Sequence, residues 1–281
     1  MTPGATIPGA TTPGATTSGT FLLGLGAQKA GTAWMHRYLE SSPECDPGFR
    51  KEYHVWDALD LPSGRVVRER IEKQGGDRAR FLADPDAYVG YFAGLLQRDG
   101  VRLTADITPS YAGLSVERLA GIRAAFEQRG LRPVAVYLMR DPVERVWSAV
   151  RMDVRRSGNT DDRAVEARLR TIADGDQYDR RTRYDLTMAS ADEAFGDGVF
   201  YGFYERLFDV STLEELCAFL GIDFVEPDFG RQVNVSPKQD GDLADDTVRG
   251  LVARFAPVYE AVAARFPEVD LPSLWPSARF L

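Results

Sequence analysis

The sequence predicts an α/β protein whose central parallel sheet is flanked by helices. Three apolar runs, at residues 20–24, 101–107 and 133–139, are each followed by a turn and then by a helical pattern. The run at 133–139 is almost continuously apolar, which is typical of a strand buried on both faces of a parallel sheet. Because strands alternate with helices along the chain, a parallel arrangement is favoured.

The remaining elements follow the same alternation. The helix after the second strand carries Leu114, Ile122 and Phe126 at helical spacing. Further helices are predicted at residues 32–40, 212–220 and 247–266, and a further strand at 199–203. The charged segment 161–194 predicts helices with a mostly solvated face, and a cap over an acceptor site is the functional alternative.

We expect one domain over residues 20–281, preceded by a disordered tail at residues 1–19. The tail repeats the units TPGAT, IPGAT and TPGAT, which offer almost no side chain to bury and contain prolines that prevent regular pairing. The domain is large enough for a substantial core, since 44% of the 281 residues are hydrophobic.

The composition limits which ligands and which cellular compartment are expected for the protein. The net charge of −8 opposes the approach of nucleic acid or an anionic membrane, so an anionic ligand needs local positive groups. No apolar run approaches the roughly 18 residues of a membrane span. The two cysteines, Cys45 and Cys217, lie outside any metal or disulfide spacing, so we expect a cytoplasmic protein without a metal. The oligomeric state is left open.

A glycine-bearing loop follows the first strand. The segment GLGAQKAGTAW, residues 24–34, places backbone amides and Lys29 at the start of a helix, where a phosphate is held by amide donors and the helix dipole. Lys29 stands two positions before Gly31, whereas the lysine of a Walker loop follows the last glycine. A turn that only packs a helix onto a strand is the alternative interpretation.

The segment KAGTAW resembles the 5′-phosphosulfate loop of sulfotransferases that use 3′-phosphoadenosine 5′-phosphosulfate (PAPS). The resemblance implies the P-loop nucleotide-kinase-like sulfotransferase fold, PAPS as co-substrate, and no metal. It implies contacts to PAPS from Lys29, Ala30, Gly31, Thr32, Ala33 and Trp34. Ala33 stands where the family usually has threonine or serine. Trp34 would stack on adenine, with core packing as the alternative, and Lys29 would neutralise the 5′-phosphate leaving group.

Two later segments match the same family. In RDPVERVWS, the resemblance assigns Arg140 and Ser148 to the 3′-phosphate, for which a guanidinium, a hydroxyl and helix-start amides are suitable partners. In NVSPK, residues 234–238, it assigns Lys238 to a loop that closes over the nucleotide.

The segment KEYHVWD, residues 51–57, resembles the heparan-type branch, and the resemblance as a whole implies a bacterial member. It makes Glu52 the catalytic base, with His54 as the alternative base or as an orienting or acceptor-binding group, and it gives Lys51 a substrate contact. The segment DITPSY, residues 106–111, resembles that branch's acceptor-side motif and assigns Asp106 and Tyr111 to the acceptor, with capping of the turn as the alternative for Asp106.

These resemblances together imply sulfuryl transfer from PAPS to a hydroxyl or amine of a small-molecule or glycan acceptor. Ile107 replaces the lysine of the heparan-type motif, which disfavours a polyanionic sugar. Several aromatic side chains line either an acceptor pocket or the core: Tyr53, Trp56, Tyr111, Tyr201 and Tyr204. The alternative functions are a P-loop nucleotide-dependent kinase and a noncatalytic nucleotide-binding relative.

Overall fold

The computed structural model describes residues 19–158, 161–173, 179–230 and 243–281 of the chain. Residues 1–18 of the predicted tail, and Lys238, lie outside these ranges. The described residues form a sheet of four parallel strands in the order β2-β1-β3-β4. The strands are β1 (Thr20–Gly26), β2 (Leu103–Ile107), β3 (Arg132–Met139) and β4 (Val199–Phe203). The predicted α/β class with a parallel sheet is confirmed.

Helices cover the sheet and extend beyond it. They are α1 (Thr32–Glu40), α2 (Trp56–Asp60), α3 (Arg65–Gln74), α4 (Asp77–Ala83), α5 (Pro85–Leu95), α6 (Val116–Glu127), α7 (Pro142–Arg156), α8 (Asp162–Ala173), α9 (Asp179–Thr182), α10 (Tyr184–Phe195), α11 (Val210–Leu220), α12 (Asp245–Arg265) and α13 (Leu271–Leu274). Short 3₁₀ turns lie at Pro62–Gly64, Pro109–Gly113, Gly196–Gly198, Tyr204–Arg206 and Pro276–Phe280. In the described ranges, no helix is both long and apolar enough to cross a bilayer.

The central strand β1 is fully buried, which is why a continuous apolar run predicts it. Every residue of β1 is buried, because the strand pairs with β2 on one side and with β3 on the other. It continues to Gly26, two residues beyond its predicted end, whereas β2 begins two residues later than predicted, at Leu103. The carboxyl ends of β1, β2 and β3 therefore meet at one edge of the sheet, where open α/β folds bind ligands.

Two predictions about helices need correction. Leu114 precedes its helix, because α6 begins at Val116 and is capped by Ser115, whose side chain accepts a hydrogen bond from the Arg118 amide. In the described part of segment 161–194, α8 leaves Arg163, Arg168 and Arg170 exposed as predicted, whereas α10 packs against both α6 and α12 and buries Tyr184, Met188 and Ala191. Charged residues between these positions hide this apolar face in the sequence.

The burial of several aromatic side chains decides between core packing and an acceptor pocket. Tyr53, Trp56 and Tyr111 are buried, and the Tyr53 ring meets the Phe92 ring edge-on with centroids 4.9 Å apart. Tyr201 and Tyr204 are half-buried, and the Tyr201 hydroxyl donates to Asp192 Oδ1 at 2.8 Å. Core packing, and not an acceptor pocket, is therefore the correct interpretation for Tyr53, Trp56 and Tyr111.

Gly24 marks a close approach of β1 to β2 that a side chain would disturb. A Cβ at this position would lie 2.8 Å from Ile107 Cγ2 and 2.9 Å from Ile107 Cα, and the backbone atom cannot move aside easily. We predict that Gly24→Ala lowers the free energy of unfolding by about 1–3 kcal/mol through overpacking. Chemical denaturation of both proteins measures the difference.

Gly121→Ala is the matched control, since Gly121 lies within α6 and a Cβ there would meet nothing within 4 Å. This change is expected to raise the free energy of unfolding by about 0.5–1 kcal/mol. Equal stability of Gly24→Ala and wild type would show that the two strands separate without cost at this point.

Candidate active site

The loop between β1 and α1 has the geometry of an anion cradle. Gly31 precedes α1 with φ of 85°, and no side chain caps the first amides of that helix. These amides therefore keep their hydrogen-bonding capacity for a ligand at the positive end of the helix dipole. Within the loop, Ala30 and Thr32 are buried while Lys29 and Ala33 are half-buried. Lys29 itself has φ of 73°, a left-handed conformation that costs a non-glycine residue energy.

Lys29 lies in a region of positive charge. Burial lowers its pKa, and the charges of Arg155, Arg140, Arg151 and Arg156 lower it further. Among the residues that the structure describes, none accepts a hydrogen bond from the Lys29 ammonium and no carboxylate pairs with it. In a chain with a net charge of −8, this local excess of cations is the feature expected of a site for an anion.

Arg140 lies directly beside this loop. Its Nη1 donates to the Lys29 carbonyl oxygen at 3.2 Å, its Nη2 donates to Glu144 Oε2 at 3.0 Å, and its guanidinium lies over the Tyr204 ring, 4.5 Å from the centroid. The structure thus brings together two motifs that are 111 residues apart in the sequence. Ser148, which is buried, lies two turns along α7 from this junction.

The helix-start amides expected to bind a 3′-phosphate are already occupied. Asp141 precedes α7, and its Oδ1 accepts hydrogen bonds from the amides of Val143 at 2.9 Å and Glu144 at 3.4 Å. This is a correction to the sequence analysis, because the aspartate caps the helix in the place of a ligand. An anion at this junction would rely on Arg140 and Ser148 instead.

The C-terminal part of the chain fixes the Arg140–Asp141 turn. The backbone amide of Ser277 donates to Asp141 Oδ2 at 3.0 Å, and its hydroxyl donates to Asp141 Oδ1 at 2.6 Å. Glu205 accepts from the Asp141 amide at 3.0 Å and from Trp275 Nε1 at 3.1 Å. Asp141 and Trp275 are almost completely buried, so these bonds form in a dry environment where they hold geometry firmly.

A row of charged side chains borders the loop on the β2 side. Lys51 Nζ lies 2.7 Å from Glu52 Oε1 and 3.4 Å from Thr32 Oγ1, so it connects Glu52 to the start of α1. His54 Nε2 lies 3.3 Å from Glu52 Oε2, and its Nδ1 lies 2.8 Å from Asp57 Oδ2. The row Lys51, Glu52, His54 and Asp57 therefore alternates positive and negative groups.

The row sets the charge states of Glu52 and His54. Burial alone would raise the pKa of Glu52, but hydrogen bonds from His54 and Lys51 hold it at about 2. Burial alone would lower the pKa of His54, but its hydrogen bonds to Asp57 and Glu52 raise it to about 9. At neutral pH the site therefore holds a carboxylate at Glu52 and an imidazolium at His54.

Asp57 and Ser110 belong to this site although the sequence analysis did not assign them. The Asp57 side chain is buried, and its Oδ2 accepts from the Ser110 hydroxyl at 2.6 Å as well as from His54. His54 has φ of 55°, so these bonds hold the imidazole on a strained backbone. The sequence signal was present in the spacing of His54 and Asp57, but Ser110 is 53 residues away from its partner.

Asp106 and Tyr111 lie beneath the row and not on its surface. Both are fully buried, and the Tyr111 hydroxyl donates to Asp106 Oδ2 at 2.7 Å. The Asp106 carboxylate also accepts from the hydroxyls of Thr108 at 2.6 Å and Tyr88 at 2.9 Å. Burial raises the pKa of Asp106 to about 6 despite these bonds. The expected direct contact of Asp106 and Tyr111 with an acceptor does not agree with this placement.

Trp34 lies at the far side of the loop within an aromatic cluster. Its ring is nearly parallel to those of Tyr38 and Phe229, with centroid distances of 5.6 and 5.9 Å, and it meets Phe208 edge-on. Phe208 and Phe229 remain partly exposed, whereas Trp34 is buried. The cluster offers flat apolar surface next to the loop, so the stacking role predicted for Trp34 stays a prediction.

Comparison with known proteins supports the fold assignment. No family model matches the chain, and no curated protein matches it. Among solved structures, it is similar to a sulfotransferase from Alicyclobacillus acidocaldarius, with 22% identity, a TM-score of 0.57, and coverage of 87% of this chain and 94% of that chain. The sulfotransferase domain from the curacin biosynthetic pathway is also similar, with 17% identity, a TM-score of 0.37, and coverage of 73% of this chain and 74% of that domain.

The second of these similarities is too low to support an argument. The first shows that this chain has the α/β fold of a sulfotransferase, as the sequence predicts. The heparan-type branch and the bacterial character stay predictions.

The raised pKa of His54 predicts the direction in which the stability of the protein changes with pH. Between its unfolded pKa near 6.5 and its folded pKa of about 9, the folded protein binds one more proton than the unfolded chain, so stability must fall as the pH rises. We predict that wild type loses up to about 3 kcal/mol relative to His54→Asn between about pH 7 and about pH 10. Urea denaturation of both proteins across this range measures the loss.

The second histidine provides the control. Burial lowers the pKa of His36 to about 4, so His36 is neutral in both states over that pH range and His36→Asn should show a constant difference from wild type. A constant difference for His54→Asn as well would mean that the imidazolium is not stabilised by Asp57 and Glu52.

Proposed function

We propose that the protein is a sulfotransferase that moves the sulfuryl group of PAPS to a hydroxyl or amine of an acceptor. The observation that carries this proposal concerns the loop that carries Lys29: Arg140 contacts it at the Lys29 carbonyl, and Lys51, which is paired with Glu52, contacts it at Thr32. One loop thus adjoins both a cationic site for phosphates and a carboxylate that can accept a proton. The similarity of fold to a sulfotransferase agrees with the proposal.

The residues present fit the charge of the donor. The Lys29 ammonium and the uncapped amides at the start of α1 would hold the 5′-phosphosulfate, and Arg140 with Ser148 would hold the 3′-phosphate. PAPS, when bound, supplies an activated sulfuryl group. As the bond from sulfur to the bridging phosphate oxygen breaks, Lys29 stabilises the charge that develops on the departing phosphate.

Glu52 is the base in this proposal. At neutral pH it is a carboxylate and can take the proton that the acceptor loses when its oxygen or nitrogen bonds to sulfur. His54 is already protonated, so its role is to orient Glu52 and to bind the acceptor. A pKa of about 2 makes Glu52 a weak base while His54 and Lys51 both remain paired with it. If Lys51 turns toward the donor's sulfate, the basicity of Glu52 increases at the moment it is needed.

Asp106 and Tyr111 act as positioning residues in this scheme. The Asp106 carboxylate accepts from the Tyr53 amide at 3.4 Å, and the Tyr111 hydroxyl accepts from the Val55 amide at 3.2 Å. Both amides flank His54 in the chain. The buried pair therefore holds the backbone that presents Glu52 and His54, without contact to the acceptor.

The assignment of Arg140 predicts a preference between two nucleotides. Adenosine 3′,5′-bisphosphate should bind much more tightly than adenosine 5′-monophosphate, because only the 3′-phosphate gives Arg140 and Ser148 an anionic ligand to bind. We predict that Arg140→Ala reduces this preference by about 10–100-fold in titration calorimetry. Arg68→Ala on the exposed face of α3 is the control and should keep it. Equal affinities of the wild type for the two nucleotides would show that this site does not bind the 3′-phosphate.

The assignment of Glu52 predicts which substitution removes turnover. Glu52→Gln keeps the size of the side chain but cannot accept a proton, so transfer of label from PAPS to acceptors in a metabolite extract should fall about 10²–10⁴-fold. Binding of adenosine 3′,5′-bisphosphate should be retained. His54→Asn should be milder, because the carboxylate remains.

The opposite ranking of these two variants would transfer the role of base to His54. Labelled transfer in wild type also separates the proposal from its rivals, because a kinase or a noncatalytic nucleotide-binding protein would yield no sulfated product.

A further inference from the structure

Arg140 is paired with a carboxylate at the start of the next helix. Its Nη2 lies 3.0 Å from Glu144 Oε2, and Glu144 belongs to the first turn of α7. Ser148 follows four positions further along the same helix. Because residues four apart are neighbours on a helix surface, Glu144 adjoins Ser148 as well as Arg140. A phosphate that binds both Arg140 and Ser148 must therefore approach the Glu144 carboxylate closely.

The usual role of a glutamate at this position of a helix is taken by another residue. Asp141 caps α7, and a glutamate three residues after a cap commonly accepts a hydrogen bond from the backbone amide of the cap residue. Here the Asp141 amide donates to Glu205 Oε1 at 3.0 Å instead. The Glu144 carboxylate is therefore not needed to complete the helix start, and it pairs with Arg140.

The carboxylate is the partner of this pair that is free to move. The exposed fraction of the side chain is 40% for Glu144 but only 15% for Arg140. The Arg140 guanidinium also has two contacts that do not involve Glu144, namely the Lys29 carbonyl oxygen at 3.2 Å and the Tyr204 ring at 4.5 Å. It therefore keeps its position when Glu144 turns toward solvent.

The surroundings of Glu144 hold its charge only weakly. Burial raises the pKa of Glu144, and the charge of Arg140 does not fully offset this effect. The site therefore favours the ionised carboxylate less than water does. Glu52 is the contrasting case, because its partners hold its pKa at about 2. The pair of Glu144 with Arg140 is thus easier to separate than the pair of Glu52 with Lys51.

Resting on the proposed function, we infer that Glu144 is a displaceable counter-ion of Arg140 that competes with the 3′-phosphate of the nucleotide. In the free protein it keeps the guanidinium paired, so a nucleotide without a 3′-phosphate leaves no cation unpaired. When the 3′-phosphate binds Arg140, it repels the carboxylate, and Glu144 turns toward solvent. Because PAPS and the product nucleotide carry the same 3′-phosphate, the competition weakens the binding of both and favours release of the product.

The test measures nucleotide affinity in the full chain with Glu144 changed in two ways. Glu144→Gln removes the charge and keeps the shape, whereas Glu144→Met removes the charge without offering a hydrogen-bond donor to the phosphate. Glu127→Gln is the matched control, since Glu127 also pairs with an arginine four positions before it, Arg123. It lies at the end of α6 that leads into the start of β3, away from the edge of the sheet that carries the site.

Titration calorimetry should show a gain that is specific to the 3′-phosphate. Both Glu144 variants should bind adenosine 3′,5′-bisphosphate about 5–20-fold more tightly than wild type, and adenosine 5′-monophosphate within about threefold of it. The control should match wild type for both nucleotides. Combined with Arg140→Ala, Glu144→Gln should change the affinity for the bisphosphate by less than about threefold, because no ion pair is left to displace and an exposed carboxylate is screened by solvent.

Three results would reject the inference and leave the proposed function standing. They are an unchanged or weaker affinity for the bisphosphate in both Glu144 variants, a gain in Glu144→Gln alone, which would reflect a new hydrogen bond, and an equal gain with and without Arg140, which would reflect a general effect of charge. A wild type that binds neither nucleotide, or binds the two equally, is a different result. It rejects the proposed site for the 3′-phosphate, and the inference with it.

Discussion

The buried carboxylate of Asp106 organises the site. At the end of β2 it accepts hydrogen bonds from the hydroxyls of Thr108, Tyr111 and Tyr88 and from the amide of Tyr53. These donors come from the strand end, the following 3₁₀ turn, α5 and the segment before α2, so a single group joins four parts of the chain. An ionised group at 0% exposure is tolerated only when its oxygens are fully bonded, and removal of any donor would weaken the others.

The sequence predicts those parts of the fold that local patterns encode. The continuous apolar runs of β1 and β3 give the sheet, and the loop with Lys29 identifies its functional edge. Helices α2 to α5 were not predicted. The signal is weak in α2 and α4, which have five and seven residues, and in α3, which buries Ile71 alone, but α5 buries Tyr88, Phe92 and Leu95 at helical spacing. In the site, Asp57 was missed because its role depends on Ser110. The cap at Asp141 is a local signal that the phosphate assignment overlooked, and only the bonds from Ser277 depend on residues distant in sequence.

Backbone strain is concentrated at the two side chains that the proposal uses most. Among the residues that the structure describes, the non-glycine residues with positive φ are Lys29 and His54. Each such conformation costs on the order of 1–3 kcal/mol and persists only where the surroundings impose it. For His54 those surroundings are the bonds to Asp57 and Glu52, and for Lys29 they include the bond that its carbonyl accepts from Arg140. Function and local stability therefore oppose each other at both positions.

The bonds between Ser277 and Asp141 have a consequence for the order in which the molecule is assembled during synthesis. Ser277 is 136 residues downstream of Asp141, and a ribosome adds about 5–20 residues per second, so it emerges roughly 7–27 s later. During that interval β1 and β3 can already pair, while the turn that carries Arg140 lacks the partners that hold Asp141. The nascent chain therefore has a loop around Lys29 before it has a rigid Arg140, and under the proposed function its selectivity for anions is completed only when the C-terminal segment docks.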